Sequence, residues 1–295
     1  MPKYKTDRPF SEQELVNMDV IHDPNPSLFV DQNDESYVVE DFINDSERDA
    51  LSKYFNDNFD SIGDNINDHV LHITYPMLKK EIADIVKPKI MEHFGDDVVF
   101  YSDVAKDDPM SVGDQFFLSV QPYGLHTDAV THINGYRPYK DIIIPIKLDS
   151  IEETHYVTFN QRYRGRATHF MRGRKKGSFA NYANVIRHMS YEEYGVEGTE
   201  HNKKDLAILE KIMPSHIPMS IYEDLSIEKI LKWKPKDAII HDSSVLHAPA
   251  DFRTQGAKFK TGITLHLMKA DPTYNNRLEG YYTPFSRYTK PLIKT

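Results

Sequence analysis

Tyr123-Gly-Leu-His126-Thr-Asp128 sets a His and an Asp two positions apart, so both side chains would leave a strand on one face. Far downstream, His247 stands on a polar turn between two β-like runs, Asp237-Ala-Ile-Ile-His241 and Lys260-Thr-Gly-Ile-Thr-Leu-His-Leu267. Brought together, His126, Asp128 and His247 would make a two-His, one-carboxylate set, the facial arrangement that leaves open positions on non-haem Fe(II). Lys260, at the start of the second run, would add a cation at the other end of the site, where an anion could be held. The chain has no cysteine, which rules out disulfides, thiolate metal sites and a Cys nucleophile. Any metal must therefore use imidazole and carboxylate, which favours Fe, Mn or Zn.

A His-x-Asp pair alone carries little weight, because 14 His and 45 acidic residues in 295 positions produce such matches by chance. Its weight comes from the elements around it. Gln115–Gln121 is expected as a strand leading into the His126 turn. Asp141–Asp149, DIIIPIKLD, is the most hydrophobic run and should be a central core strand, and His155–Asn160 alternates after it. In the run from Lys260, Ile263, Leu265 and Leu267 fall on one side, with Thr264 and His266 on the other, as in a half-buried strand.

Upstream, Tyr37–Phe42 is expected as a strand. Asn44-Asp45-Ser46 offers helix N-cap types before Leu51, Tyr54 and Phe55 at helical spacing. A second helix, about Tyr75–Phe94, would carry Leu78, Ile82, Ile85, Val86 and Ile90 on one face, with Pro88 expected to kink or end it. Asp97–Ser102 is a further strand. Short strands at intervals and a late return strand indicate a mainly β fold with flanking α-helices, built on a double-stranded β-helix (jelly-roll, cupin-like) core. Residues 1–35 form a polar arm with at most one short helix, Glu12–Asn17. Residues 36–295 form one domain: 36–96 supply the first strand and supporting helices, 97–160 and 234–268 the barrel strands, and 161–233 an insert or lid. Residues 269–295 are rich in Tyr and are expected to pack across the barrel's outer face.

In these motifs the chain resembles the Fe(II)/2-oxoglutarate-dependent oxygenases, through HxD (His126, Asp128), a distant His (His247) and a basic residue shortly beyond it (Lys260). The segment PKDAIIHDSSVLHA resembles that family's strand and turn before the second His. YGLHTD resembles its prolyl-hydroxylase-like branch, and YVVEDFINDSERDALSKYF the usual opening strand and helix. The resemblance touches residues 37–55, 115–160 and 234–268. It implies iron held by His126, Asp128 and His247, with 2-oxoglutarate and dioxygen as co-substrates. Decarboxylation to succinate would be coupled to oxidation of a substrate C–H bond, most simply hydroxylation. Lys260 would meet the far carboxylate of 2-oxoglutarate as a point charge, with Lys258 and then Arg253 behind it as candidates. The family often has Ser or Thr two residues after the basic one. Gly262 stands there, so the hydroxyl would come from elsewhere, with Thr264 the candidate. Tyr123 would bond the co-substrate or line its pocket. His132, His241 and His266 are not expected as ligands; His241 fills a place where the family often has Phe, and His266 would line the site or face solvent.

From Thr154 to Tyr191 there are eight Arg or Lys, including Arg162, Arg164, Arg166 and Arg172, and no Asp or Glu, in a chain of net charge −9. Tyr156, Phe159, Tyr163, Phe170, Phe179 and Tyr182 lie among them. A basic, aromatic island on an acidic protein should attract an anionic substrate, small or macromolecular, single-stranded nucleic acid included. Its charges could equally be solvated or paired with the acidic remainder. By the resemblance, inserts at this place form the substrate lid.

Hydrophobic content of 39% and 12% aromatics are enough for a real core. MPKYKTDRPF has no apolar h-region, and no apolar run approaches the length of a membrane span, so a cytoplasmic protein away from membranes is expected. Two other readings compete. One is a cupin-like metalloenzyme not using 2-oxoglutarate, against which stands the lack of any HxH motif. The other is a jelly-roll binding or structural protein working through residues 154–191.

Overall fold

The computed structural model describes residues 34–63, 72–76, 80–105, 114–128, 135–162, 202–217, 219, 222 and 225–271. The helix expected at Glu12–Asn17, the C-terminal aromatics, His132 and most of the basic island, including Arg164, Arg166 and Arg172, lie outside them.

The fold is organised on two long neighbouring strands, β5 (Tyr136–Leu148) and β10 (Lys260–Ala270), paired antiparallel along their length. Around them stand β1 (Tyr37–Val39), β2 (His72–Pro76), β3 (Val98–Phe100), β4 (Gln115–Ser119) and β8 (Ala238–Asp242). The resulting sheet has the order β1-β8-β5-β10-β4-β2, with β3 paired to the far end of β10. A second sheet has the order β7-β6-β9, from β6 (Thr154–Arg162), β7 (Ile227–Trp233) and β9 (Val245–Pro249), and His126 adds an antiparallel bridge to β9. From β4 onward the chain passes back and forth between the sheets: β4, the His126 bridge, β5, then β6 and β7, β8, β9 and β10. That alternation is the double-stranded β-helix expected from the sequence.

Period-2 alternation gives each strand two duties. On one face of the larger sheet, Ile142, Ile144, Ile240, Ile263, Leu265 and Leu267 are fully buried. They pack beneath α1 (Asp45–Gly63) and α2 (Lys80–Phe94) through Leu51, Ile82, Val86 and Ile90. Each such side chain contributes about 1.5–3 kcal/mol relative to exposure. The other face turns inward toward the second sheet. There Phe117, Ile143, Ile239, Tyr156, Trp233 and Phe252 form the barrel interior. Beyond the second sheet, Val157, Phe159, Leu246 and Ala248 pack against Leu209 and Met213, of and just after α4 (Asn202–Ile212).

Local chemistry fixes the ends. Asn44 caps α1 through a reciprocal pair: the Glu47 amide donates to Asn44 Oδ1 at 2.9 Å and the Asn44 amide to Glu47 Oε2 at 2.7 Å. Pro138 and Pro145 lie within the central strand β5, yet each falls where the register with β10 shifts, so the missing N–H interrupts no regular ladder. The helix expected from Tyr75 begins only at Lys80; residues 72–76 are strand β2, as the extended bias of a residue before proline favours at Tyr75. Pro88 does not end α2, which runs on to Phe94. β1 stops at Val39, three residues before the expected end, and the strand expected to Ser102 turns at Tyr101 into a short helix, α3 (Tyr101–Val104). Residues 227–233, assigned from sequence to the insert, instead form β7, an edge strand paired with β6. No helix among the described residues is long and apolar enough to cross a membrane.

Candidate metal centre

Backbone pairing brings the separated histidines together. The His126 amide donates to the His247 carbonyl at 3.0 Å, and the His247 amide to the His126 carbonyl at 2.9 Å. A reciprocal antiparallel pair sends both side chains to the same face, and Asp128, two residues on, joins them there. His126 Nε2 and His247 Nε2 lie 3.0 Å apart, with Asp128 oxygens 3.9 Å and 3.8 Å from them. The three ligand-type atoms lie within 4.8 Å of one another.

The outer nitrogens decide what the inner ones can do. His126 Nδ1 is 2.7 Å from the Gly124 carbonyl oxygen, and His247 Nδ1 is 3.0 Å from that of Val245. A carbonyl only accepts, so each Nδ1 carries the hydrogen and each Nε2 turns a lone pair inward. Burial, then the proximity of His126 and His241, hold the His247 pKa well below its ordinary value, so His247 stays neutral and keeps its Nε2 lone pair for an ion. Burial, then the Asp141 carboxylate, push Asp128 up to about 7 against the pull of His266. Two converging lone pairs and a strained carboxylate are what a divalent cation would satisfy, and the donor set suits Fe(II), Mn(II) or Zn(II).

Around this centre runs a row of polar residues across three strands, His241, Asp141 and His266, paired by register on β8, β5 and β10. All three are buried. His241 Nδ1 lies 2.9 Å from the Asp242 carbonyl, so Nε2 accepts the Tyr156 hydroxyl at 3.0 Å. Tyr156 also stacks on His247, ring centroids 5.2 Å apart. His266 Nδ1 donates to Asp141 Oδ1 at 2.7 Å. With Asp128, these two form a second group of ligand-type atoms within 4.8 Å. The sequence motifs assign Asp141 no role, and His266 is expected only as pocket lining or surface. The available signal was a polar residue at an inward position of each of the two most apolar strands.

Lys260 is 4% exposed, and the Trp233, Phe252 and Phe117 rings stand 4.7, 5.6 and 6.0 Å from its Nζ. No carboxylate pairs with it among the described residues, and burial alone lowers its pKa to about 7. Tyr156, which stacks on His247, shares the apolar cluster of those three rings, so one interior runs between triad and lysine. Gly262 leaves room for Phe117: a Cβ there would meet the ring at 2.7 Å. The space where the resemblance expects a hydroxyl is therefore filled by an aromatic ring.

The other expectations divide. Tyr123 stands edge-on to His126 at 4.9 Å between centroids, and Thr264 is buried on the same strand face as Lys260 and His266. Lys258 and Arg253 are exposed, so neither faces the interior; the Lys258 amide donates to Asp149 on the surface. Arg162 ends β6 opposite Val245. Of the residues counted with the aromatic island, Tyr156 is buried in the barrel interior and Phe159 on the other side of the second sheet, against Leu209 and Met213.

No protein-family model matches the chain, and the search of curated proteins found no match. Among solved structures it is similar to SnoK, a non-haem alpha-ketoglutarate-dependent carbocyclase from nogalamycin biosynthesis (10% identity, 93% of this chain and 92% of that one, TM-score 0.44). It is similar to the viral collagen prolyl hydroxylase of Paramecium Bursaria Chlorella virus-1 (10% identity, 81% and 99%, TM-score 0.41). A third is HygX from Streptomyces hygroscopicus, with iron bound (9% identity, 91% and 89%, TM-score 0.37). Each likeness is weak, and the chemistry rests on this chain's own side chains.

Proposed function

We propose that the chain is a non-haem Fe(II)/2-oxoglutarate-dependent oxygenase, a hydroxylase acting on an anionic substrate. The observation that carries this is the convergence of His126, Asp128 and His247 in one interior with a buried, carboxylate-free Lys260. His126 and His247 would hold the ion through Nε2 and Asp128 through a carboxylate oxygen. Bound iron, with 2-oxoglutarate and dioxygen, supplies the oxidising power to break a C–H bond. The chain's part is to orient and exclude. The Gly124 and Val245 carbonyls fix the imidazole tautomers. Lys260 offers the far carboxylate of the 2-oxo acid a desolvated charge, and its three rings keep water from that charge. The basic segment 154–191 is the proposed source of substrate attraction.

Anaerobic addition of Fe(II) and then 2-oxoglutarate to the apoprotein should produce a weak visible charge-transfer band that requires both and is lost in His247→Ala and Asp128→Ala. Iron binding without a band would remove 2-oxoglutarate and favour a different metalloenzyme. No metal binding would leave the convergence without chemical meaning and favour a binding protein.

A further inference from the structure

Two carboxylates approach the same centre, yet only one belongs to the facial set. Asp128 and Asp141 each have an oxygen within 4.8 Å of the other and of a His266 nitrogen. The Asp141 oxygen is near enough to the Asp128 oxygen for Asp141 to compete for an ion held there, although the group of ligand-type atoms that contains it includes neither His126 nor His247. Asp141 is fully buried, its Oδ2 has no hydrogen-bond partner among the described residues, and it can reach only what the interior offers. What holds it is the 2.7 Å bond from His266 Nδ1 to Oδ1, helped by the Ser243 hydroxyl at 3.2 Å.

His266 is itself held. Its amide donates to Asp114 Oδ1 at 2.7 Å, and Asp114 is fixed by the amide and hydroxyl of Ser102. The register His266↔Asp141 lies between the two irregularities of the β5–β10 ladder. Burial works against a charge on His266, but Asp141, Asp128 and Asp114 together raise its pKa to about 9.

We propose that His266 is a positioning residue that holds the Asp141 carboxylate away from the metal, so that Asp128 is the one carboxylate the ion meets and the neighbouring position stays open for the 2-oxo acid. This rests on the function proposed above. A metal with two imidazoles and two carboxylates would be bound more tightly and would have one fewer position to give. The pair thus trades metal affinity for an open site.

The test uses the full chain in four forms: wild type, His266→Gln, Asp141→Asn and the double variant. Co(II) affinity and the 2-oxoglutarate dependence of the Fe(II) charge-transfer band are measured for each. His266→Gln should hold Co(II) more tightly while needing about tenfold or more 2-oxoglutarate for half the band, the usual scale for losing a residue that orients a ligand. Adding Asp141→Asn should restore both values to near wild type, a rescue that mere loss of packing would not show. A double variant as impaired as His266→Gln overturns the proposal. So does a second equivalent of Co(II) in the wild type that Asp141→Asn removes, because the pair would then be a cation site. If His266→Gln does not fold, Asp141→Asn alone decides: unchanged values support sequestration, and a tenfold loss of Co(II) affinity makes Asp141 a ligand and refutes it. Should the wild type bind Co(II) but show no band, the proposed function fails while the four Co(II) affinities still test sequestration.

Discussion

Replacing Lys260 with Met should stabilise the protein without ligand and abolish its response to 2-oxoglutarate. Burial lowers the Lys260 pKa from 10.5 to about 7. At about 1.4 kcal/mol per pH unit, the charged form costs the folded state about 5 kcal/mol below pH 7. Between pH 7 and 10.5 the unfolded chain binds the proton and the folded one does not, so this cost is lifted as pH rises through that window. The aromatic rings around Nζ return about 0.5–2 kcal/mol. Met has nearly the same length and no charge. Lys260→Met should therefore be more stable than wild type by about 3–4.5 kcal/mol at pH 6.5–7, or about 5–10 °C in melting temperature for a chain of this size.

The gap should close toward pH 10, because neutral lysine and methionine are then near equivalents. Thermal melts of both chains from pH 6.5 to 9.5, with and without 2-oxoglutarate, read the whole argument. The co-substrate should raise the wild-type midpoint most at the acidic end and leave Lys260→Met unmoved. A variant less stable than wild type at every pH, or a gap that does not change with pH, would mean that Lys260 has a native counter-charge and is not waiting for an anion.

Four further outcomes are expected. Gly262→Ala should cost about 1–3 kcal/mol in denaturant unfolding, because its Cβ meets Phe117 at 2.7 and 3.0 Å and the Ile144 carbonyl at 3.1 Å, and Phe117→Leu in the same chain should recover part of it. Lys140→Met should cost about 3–5 kcal/mol, since it strips the buried Asp242 of the ammonium 2.5 Å away, and a matching Asp242→Leu should lessen the damage. Asn44→Ala removes the cap of α1 and should cost about 1 kcal/mol by the same assay. Metal affinity should fall about tenfold per pH unit below about 7, because the proton that Asp128 takes up there must leave before the ion binds, and Co(II) titrations from pH 5.5 to 8 would show it.

Much of the barrel is legible because its strands alternate or run apolar without a break. Ile263, Leu265 and Leu267 mark the helix-covered face of β10 in the sequence, and Ile142 and Ile144 do the same for β5. β7 was hidden because it is an edge strand: Lys229 and Lys232 face solvent, where they pair with Glu35 and Glu153, and a register shift at Thr158/Phe159 breaks its period. The His126–Asp128–His247 set was visible through spacing. Its surroundings were not, because they depend on register between residues 125 apart in sequence, as in the His266–Asp141 bond. Tyr156 shares a sequence window with the basic residues, the first of them Arg162, but turns inward with its strand.

One strand face joins these features. Lys260, Gly262, Thr264 and His266 all point inward from β10, and each bears on the site in its own way: a charge for an anion, a gap for Phe117, a buried hydroxyl, and a clamp on Asp141. A slip of one residue would turn the whole set outward and bring Ile263, Leu265 and Leu267 into the chamber. The irregularities at Thr261/Gly262 and Leu267/Met268, where Pro145 and Pro138 lie on the partner strand, bracket the segment that carries Thr264 and His266. Because proline cannot donate to a regular ladder, a slipped register would place these residues where an N–H is required. The prolines that seem out of place in the most apolar strand of the chain thus favour the one alignment in which His266 meets Asp141.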